Sequence, residues 1–130
     1  MTKNPTAPLS VLVVDDHADT VATLATLVSS WRYPCRTASC GEEALSVVEE
    51  VSPDVVFLDL HMPGMNGWEL ARRLRNRAKP PLLVAITGAD READHQRSKE
   101  VGIHLHLVKP ADPEILRRML ERFERVVSKC

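Results

Sequence analysis

Two adjacent carboxylates, Asp15-Asp16, follow the apolar segment Leu9–Val14, and a third, Asp59, follows Val55-Val56-Phe57-Leu58. A hydroxyl, Thr87, follows Leu82–Ile86, and an ammonium, Lys109, follows Ile103–Val108. Three carboxylates gathered at one place repel one another, and some must protonate unless a cation intervenes. A hard divalent ion removes the conflict, because Mg²⁺ takes one or two carboxylates together with waters and phosphate oxygens. Such an ion also offsets the charge of an incoming phosphoryl group, and a carboxylate beside it can act as the nucleophile that forms an aspartyl phosphate. Lys109 would pair with the phosphate as a point charge, and Thr87 would donate a hydrogen bond to it. Each residue also has an ordinary explanation. A lone aspartate after a strand is commonly a turn residue, Asp16 or Asp19 is suited to cap a helix, and Lys109 before Pro110 resembles many surface lysines. The joint placement is what departs from the ordinary.

That placement depends on the elements. Leu9–Val14, Tyr33–Ala38, Val55–Leu58, Leu82–Ile86 and Ile103–Val108 read as five strands. The first and third are nearly continuous apolar runs, the pattern of strands covered on both faces. Between them run helical periods: Ala18–Trp31 with Val21, Leu24, Ala25, Leu27 and Val28, and a helix from Gly41 with Ala44, Leu45, Val47 and Val48. A third carries Trp68, Leu70, Ala71 and Leu74 on one face and Arg72, Arg73 and Arg75 on the other. Asp90–Val101 is a very polar helix, and Pro113 opens a last one with Ile115, Leu116, Met119, Leu120, Phe123 and Val127. Ser52-Pro53, the loop Pro63-Gly64 to Gly67, and Lys79-Pro80-Pro81 punctuate the chain. Alternating strands and helices predict an α/β three-layer sandwich with a five-stranded parallel sheet, flavodoxin-like (βα)5, in the order 2-1-3-4-5. In such a sheet the functional crevice lies beyond the carboxyl ends of the strands, at the switch point between the first and third. Asp15, Asp16 and Asp59 fall there, with Thr87 and Lys109 on the same edge.

With these positions in place, the chain resembles the receiver domain of bacterial two-component response regulators over residues 9–128. The resemblance rests on Asp15-Asp16, on Asp59-Leu60-His61-Met62-Pro63-Gly64-Met65-Asn66-Gly67, on Thr87-Gly88 and on Lys109-Pro110. It implies that Asp59 is the phosphoacceptor, and that Asp16, Asp59 and the backbone carbonyl of His61 bind Mg²⁺ (or Mn²⁺) directly, with Asp15 acting through a metal-bound water. It also implies that Thr87 and Lys109 hold the phosphoryl oxygens and that the Lys109–Pro110 peptide is cis. The donor would be a sensor histidine kinase or a histidine phosphotransfer protein. The domain would assist its own phosphotransfer and dephosphorylation without being an enzyme in the usual sense. Phosphorylation would move Thr87 and a switch residue, changing the face made by the fourth helix, fifth strand and fifth helix, where a downstream protein or a second copy would bind. The fourth helix, sparse in apolar residues, is expected to move most.

Two positions depart from the family's usual pattern. His106 stands where an aromatic Tyr or Phe is usual, and Gly88 stands where Ala is usual. His106 reads either as a switch residue with a polar ring or as a half-exposed surface histidine. His61 and Ala89 occupy positions that set phosphoryl lifetime in the family. The segment Gly102–Pro113 is most similar to receivers of hybrid sensor kinases.

Composition narrows the alternatives. At 130 residues and 44% hydrophobic, the chain fits one domain with one core. Residues 1–8 read as a disordered leader. A formal net charge of −1 gives no global reason to expect nucleic acid or membrane, and the arginine face of the third helix lacks base-reading companions. No apolar run has membrane-spanning length and Met1–Pro8 lacks a signal-peptide core, so the expected location is the cytoplasm. Cys35, Cys40 and Cys130 form no C-x-x-C pair and suggest no disulfide framework. Nor do the histidines have the spacing of a separate transition-metal site. An aspartate-nucleophile phosphatase is a weaker fit, because His61 stands where its second acid belongs. A flavin carrier of the same fold would need a Gly/Ser/Thr-rich phosphate loop, not Asp15-Asp16-His17-Ala18-Asp19. Monomer and phosphorylation-dependent dimer remain open, as do a stand-alone chain and a fragment of a longer hybrid kinase or DNA-binding regulator.

Overall fold

The computed structural model describes residues 8–88 and 91–128. Residues 1–7 of the expected leader 1–8, together with Ala89, Asp90, Lys129 and Cys130, lie outside the described residues. The elements are β1 (Val11–Val14), α1 (Ala18–Ser30), β2 (Cys35–Ala38), α2 (Gly41–Val51), β3 (Val55–Leu58), α3 (Gly67–Arg75), β4 (Leu82–Thr87), α4 (Glu92–Glu100), β5 (Leu105–Val108) and α5 (Pro113–Ser128). The strands form one parallel sheet in the order β2-β1-β3-β4-β5, as the alternating pattern predicts.

Strand residues alternate between two cores, and this is why the central strands must be apolar throughout. Leu12, Val14, Val56, Leu58, Leu83 and Ala85 face Ala44, Val47 and Val48 of α2 and Leu70, Ala71 and Leu74 of α3. Val11, Val13, Val55, Phe57, Val84 and Ile86 face Leu24 and Val28 of α1 and Leu116 and Leu120 of α5. Phe57 is among the largest fully buried side chains, and burying a side chain of this kind stabilises the fold by about 1.5–3 kcal/mol.

The edges differ from the simple reading. Leu9 is buried but lies before the β1 ladder. Ser10 instead joins the neighbouring segment through Asp54, whose carboxylate accepts from the Ser10 N–H at 2.8 Å and from its hydroxyl at 3.1 Å. β5 starts at Leu105 rather than Ile103, and its Leu105 and Val108 side chains are 42% and 43% exposed. Its outer cover is thin because α4 buries only Ser98. The carboxyl edge is nonetheless well defined. Val14 pairs with Leu58, Leu58 with Ala85, and Thr87 with Val108, so the strand ends form one rim.

Candidate functional site

Three strand ends deliver the acidic residues and their counter-ion to that rim. Asp15 and Asp59 are almost fully buried, at 3% and 4% exposure, while Asp16 is more accessible. Their backbones are tied to the neighbouring strands: the Asp15 N–H donates to the Ala38 carbonyl at 3.2 Å, and the Asp59 N–H to the Val14 carbonyl at 3.0 Å. Lys109 lies between the two buried acids. Its Nζ is 2.8 Å from Asp15 Oδ2 and 3.4 Å from Asp59 Oδ2. The Lys109 N–H also donates to the Thr87 carbonyl at 2.8 Å, which locks the end of β5 to the end of β4. Thr87 is fully buried, and the Lys109–Pro110 peptide is cis, as the resemblance implied.

The electrostatics separate the two acids. Burial alone would raise the Asp15 carboxyl, but the Lys109 ammonium and the hydrogen bonds from His17 outweigh it, so Asp15 lies below its ordinary value. Asp59 is raised, first by burial and also by the charge of Asp15, with Lys109 opposing. Lys109 is held above its ordinary value because the Asp15 and Asp59 carboxylates outweigh the effect of its own burial. One lysine thus serves two buried carboxylates, with Asp16 alongside. One oxygen from each of Asp15, Asp16 and Asp59, together with a ring nitrogen of His17, lie within 4.8 Å of one another. A donor set dominated by carboxylate oxygens fits a hard divalent cation.

The loop after β3 is built around the same acid. The His61 N–H lies 3.4 Å from Asp59 Oδ1. Asn66 caps α3, its Oδ1 accepting from the Glu69 N–H at 3.0 Å. The His61 ring meets the Trp68 ring edge-on, with centroids 5.2 Å apart, and its Nε2 lies 3.3 Å from Asp94 Oδ2 on α4. The N-cap of α1 is His17 rather than Asp16 or Asp19, and no side chain caps that helix.

His106 is half-buried, and its Nε2 is 2.7 Å from the hydroxyl of Ser98. That hydroxyl also accepts from Trp68 Nε1 at 3.0 Å. The His95 and His106 rings approach to 4.1 Å between centroids, and the Arg97 guanidinium lies 4.3 Å from the centre of the Trp68 ring. Tertiary contacts therefore tie His106 to α4 and, through Ser98, to α3. Nothing in the sequence paired Ser98 with Trp68, although a small polar residue on the inward face of an otherwise charged helix is a signal in retrospect.

A family model described as the response regulator receiver domain matches residues 11–121. The chain belongs to that family. Among curated relatives, this receiver is 37% identical to the positive alginate biosynthesis regulatory protein of Pseudomonas aeruginosa, over 90% of this chain and 48% of that protein. It is 33% identical to the sensor histidine kinase RcsC of Salmonella typhimurium, over 93% of this chain and 13% of that protein. The receiver thus spans less than half the length of either. Among solved structures it is similar to the chemotaxis protein CheY4 of Vibrio cholerae, with 31% identity and a TM-score of 0.83, covering 90% of this chain and 99% of that one. Among the described residues, no helix is long and apolar enough to cross a membrane.

Proposed function

We propose that this receiver takes a phosphoryl group onto Asp59 from a sensor histidine kinase or a histidine phosphotransfer protein. The observation that carries the reading is the convergence of Asp15, Asp16 and Asp59 at one rim, with Lys109 Nζ within 3.4 Å of Asp59. Similarity to the receiver-length segment of a protein named a sensor histidine kinase supports the donor class. In the transfer, an Asp59 carboxylate oxygen forms the new P–O bond, and the bond from phosphorus to the donor breaks with its electron pair leaving on the donor. Asp15, Asp16, Asp59 and the backbone carbonyl of His61 would hold Mg²⁺ or Mn²⁺. When bound, the ion supplies charge neutralisation to the phosphoryl oxygens. Lys109 then pairs with the phosphoryl group through an ammonium already poised beside Asp59, and Thr87 donates its hydroxyl hydrogen. The domain assists only its own phosphorylation and dephosphorylation, and it works in the cytoplasm.

Incubation with acetyl phosphate and Mg²⁺ should add the mass of one phosphoryl group, and a chelator should prevent the gain. A gain that persists in chelator would defeat the metal-assisted reading.

The output would be a change in the face made by α4, β5 and α5, where Leu105, Val108 and Ile115 are exposed. Its route is Thr87 at the end of β4 and the His106–Ser98–Trp68 contacts that fasten β5, α4 and α3 together. Trp68 is therefore a reporter for α4. In a Trp31→Phe background, phosphorylation should shift Trp68 emission. Thr87→Ala should still gain the phosphoryl mass but lose at least about half of that shift, since α4 is the weakly packed element that a local change can move. A full shift in Thr87→Ala would remove Thr87 from the coupling.

A further inference from the structure

The rim holds one side chain, His17, that the all-oxygen ligand set leaves out. His17 follows the acid pair directly, and its backbone N–H donates to Asp15 Oδ1 at 2.9 Å, which fixes the residue at the start of α1. Its ring is turned back onto the acids rather than outward. Nδ1 lies 3.1 Å from Asp15 Oδ1 and 3.3 Å from Asp16 Oδ1. Asp15 is shared between two partners, since its other oxygen, Oδ2, faces Lys109 Nζ at 2.8 Å. His17 and Lys109 therefore engage different oxygens of Asp15, and both line the cleft beside Asp59.

These spacings, which a hydrogen bond between the imidazole and the carboxylates accounts for, also suit a shared ion. Around an octahedral ion with bonds of about 2.1 Å, neighbouring ligand atoms stand about 3 Å apart. The Nδ1 separations from the two carboxylates, 3.1 and 3.3 Å, match an edge of such a polyhedron. The ligand atoms of Asp15, Asp16, His17 and Asp59 all fall within 4.8 Å of one another, which includes the nitrogen in the same cluster as the three oxygens. With its side chain 65% exposed, His17 can adjust toward an ion without breaking a packed core.

We infer that His17 Nδ1 is a nitrogen ligand to divalent transition ions at the Asp15–Asp16–Asp59 site, so that this receiver holds Zn²⁺-class ions with an N,O donor set. The inference rests on the metal site of the proposed function and goes beyond its all-oxygen ligand list. Hard Mg²⁺ gains little from imidazole, whereas Zn²⁺ and Ni²⁺ gain much. His17 thus discriminates between ions while leaving Mg²⁺ binding to the carboxylates. The cellular consequence is a receiver whose metal site competes for transition ions as well as for Mg²⁺.

The test uses Zn²⁺ and Mg²⁺ as separate probes on the reduced, unphosphorylated protein. Calorimetric titrations would compare wild type with His17→Ala and Asp16→Asn, and imidazole ¹⁵N spectra would be recorded at one equivalent of Zn²⁺. The expected result is a His17 Nδ1 resonance moved to the position of a ligated nitrogen. Zn²⁺ affinity should fall about tenfold or more in His17→Ala, with Mg²⁺ affinity within about twofold. Unchanged Zn²⁺ affinity in His17→Ala, or an unmoved Nδ1 signal, would overturn the inference and leave the carboxylate site standing. Equal Zn²⁺ binding by Asp16→Asn would place the ion elsewhere on the surface and overturn it as well. Failure of wild type to bind either ion would remove the metal site itself.

Discussion

Asp59→Asn should abolish phosphoryl uptake from acetyl phosphate while leaving the fold at least as stable as wild type. The amide has no carboxylate oxygen to form the new P–O bond, so the expected loss is about 10³-fold or more, the scale reached when a covalent nucleophile is removed. Stability should move the other way because the Asp59 carboxyl is raised by burial and by the neighbouring Asp15, with Lys109 only partly compensating. A carboxyl whose folded value lies above its unfolded value binds protons more readily in the fold. Its contribution is therefore full below the unfolded value and is lost as pH rises through the folded one. At neutral pH ionised Asp59 is a net cost, and the neutral Asn removes it. Lys109 keeps its shorter contact, 2.8 Å to Asp15 Oδ2. Intact mass after acetyl phosphate treatment and thermal melting at pH 7 check the two halves. A phosphorylated Asp59→Asn protein would move the acceptor to another residue, with Asp16 the first to examine. A clear drop in melting temperature would mean that Asp59 pairs with Lys109 more tightly than 3.4 Å suggests.

The acids at the rim were legible in the sequence because a strand end is set by local composition. Val11–Val14 and Val55–Leu58 are apolar at every position, so the first polar residue after each run must emerge at the sheet edge. Parallel topology then places Asp15, Asp16 and Asp59 together. Strand starts were less legible. Leu9 and Ile103 carry strand-like side chains and are buried, yet both precede their ladders, since hydrophobic burial needs no β-pairing. The contacts around His106 were not legible at all. Ser98 and Trp68 lie thirty positions apart, and only the packing of α4 over α3 brings Trp68 Nε1 within 3.0 Å of the Ser98 hydroxyl. Sequence spacing gave no reason to count His17, or any other histidine, as a metal ligand, for a related reason. The position of His17 beside the acids was plain, but the direction of its ring depends on the turn into α1, where the residue itself is the N-cap. Residue type thus located the rim, while side-chain direction had to come from tertiary structure.

The second large effect is expected at Gly67, the first residue of α3. Its φ is not positive, so conformational freedom is not the reason for glycine there; space is. A Cβ at Gly67 would collide with the backbone carbonyl oxygen of Asp59 and lie 2.8 Å from Leu60 Cα and 3.0 Å from Asp59 C. Backbone atoms cannot swing aside as a flexible side chain can. The Gly67 N–H also donates to the Leu60 carbonyl at 3.0 Å, so the close approach is held by a hydrogen bond. Overpacking of this kind costs about 1–3 kcal/mol. The reduced entropy of the unfolded chain returns less than about 1 kcal/mol. Gly67→Ala should therefore lower the melting temperature by several degrees, and Gly67→Val by more. Because the displaced atoms belong to Asp59 itself, the remaining folded protein should also take up phosphoryl groups more slowly. Gly88 is the matched control. A Cβ there meets nothing within 4 Å, so Gly88→Ala should change stability by no more than about 0.5 kcal/mol. Thermal melts of the two alanine variants, with phosphorylation rates measured below both transitions, separate the outcomes. Equal melting temperatures would show that the β3–α3 loop yields more easily than its backbone contacts imply. A destabilised Gly67→Ala protein with an unchanged rate would show that Asp59 keeps its position when the helix start is pushed away.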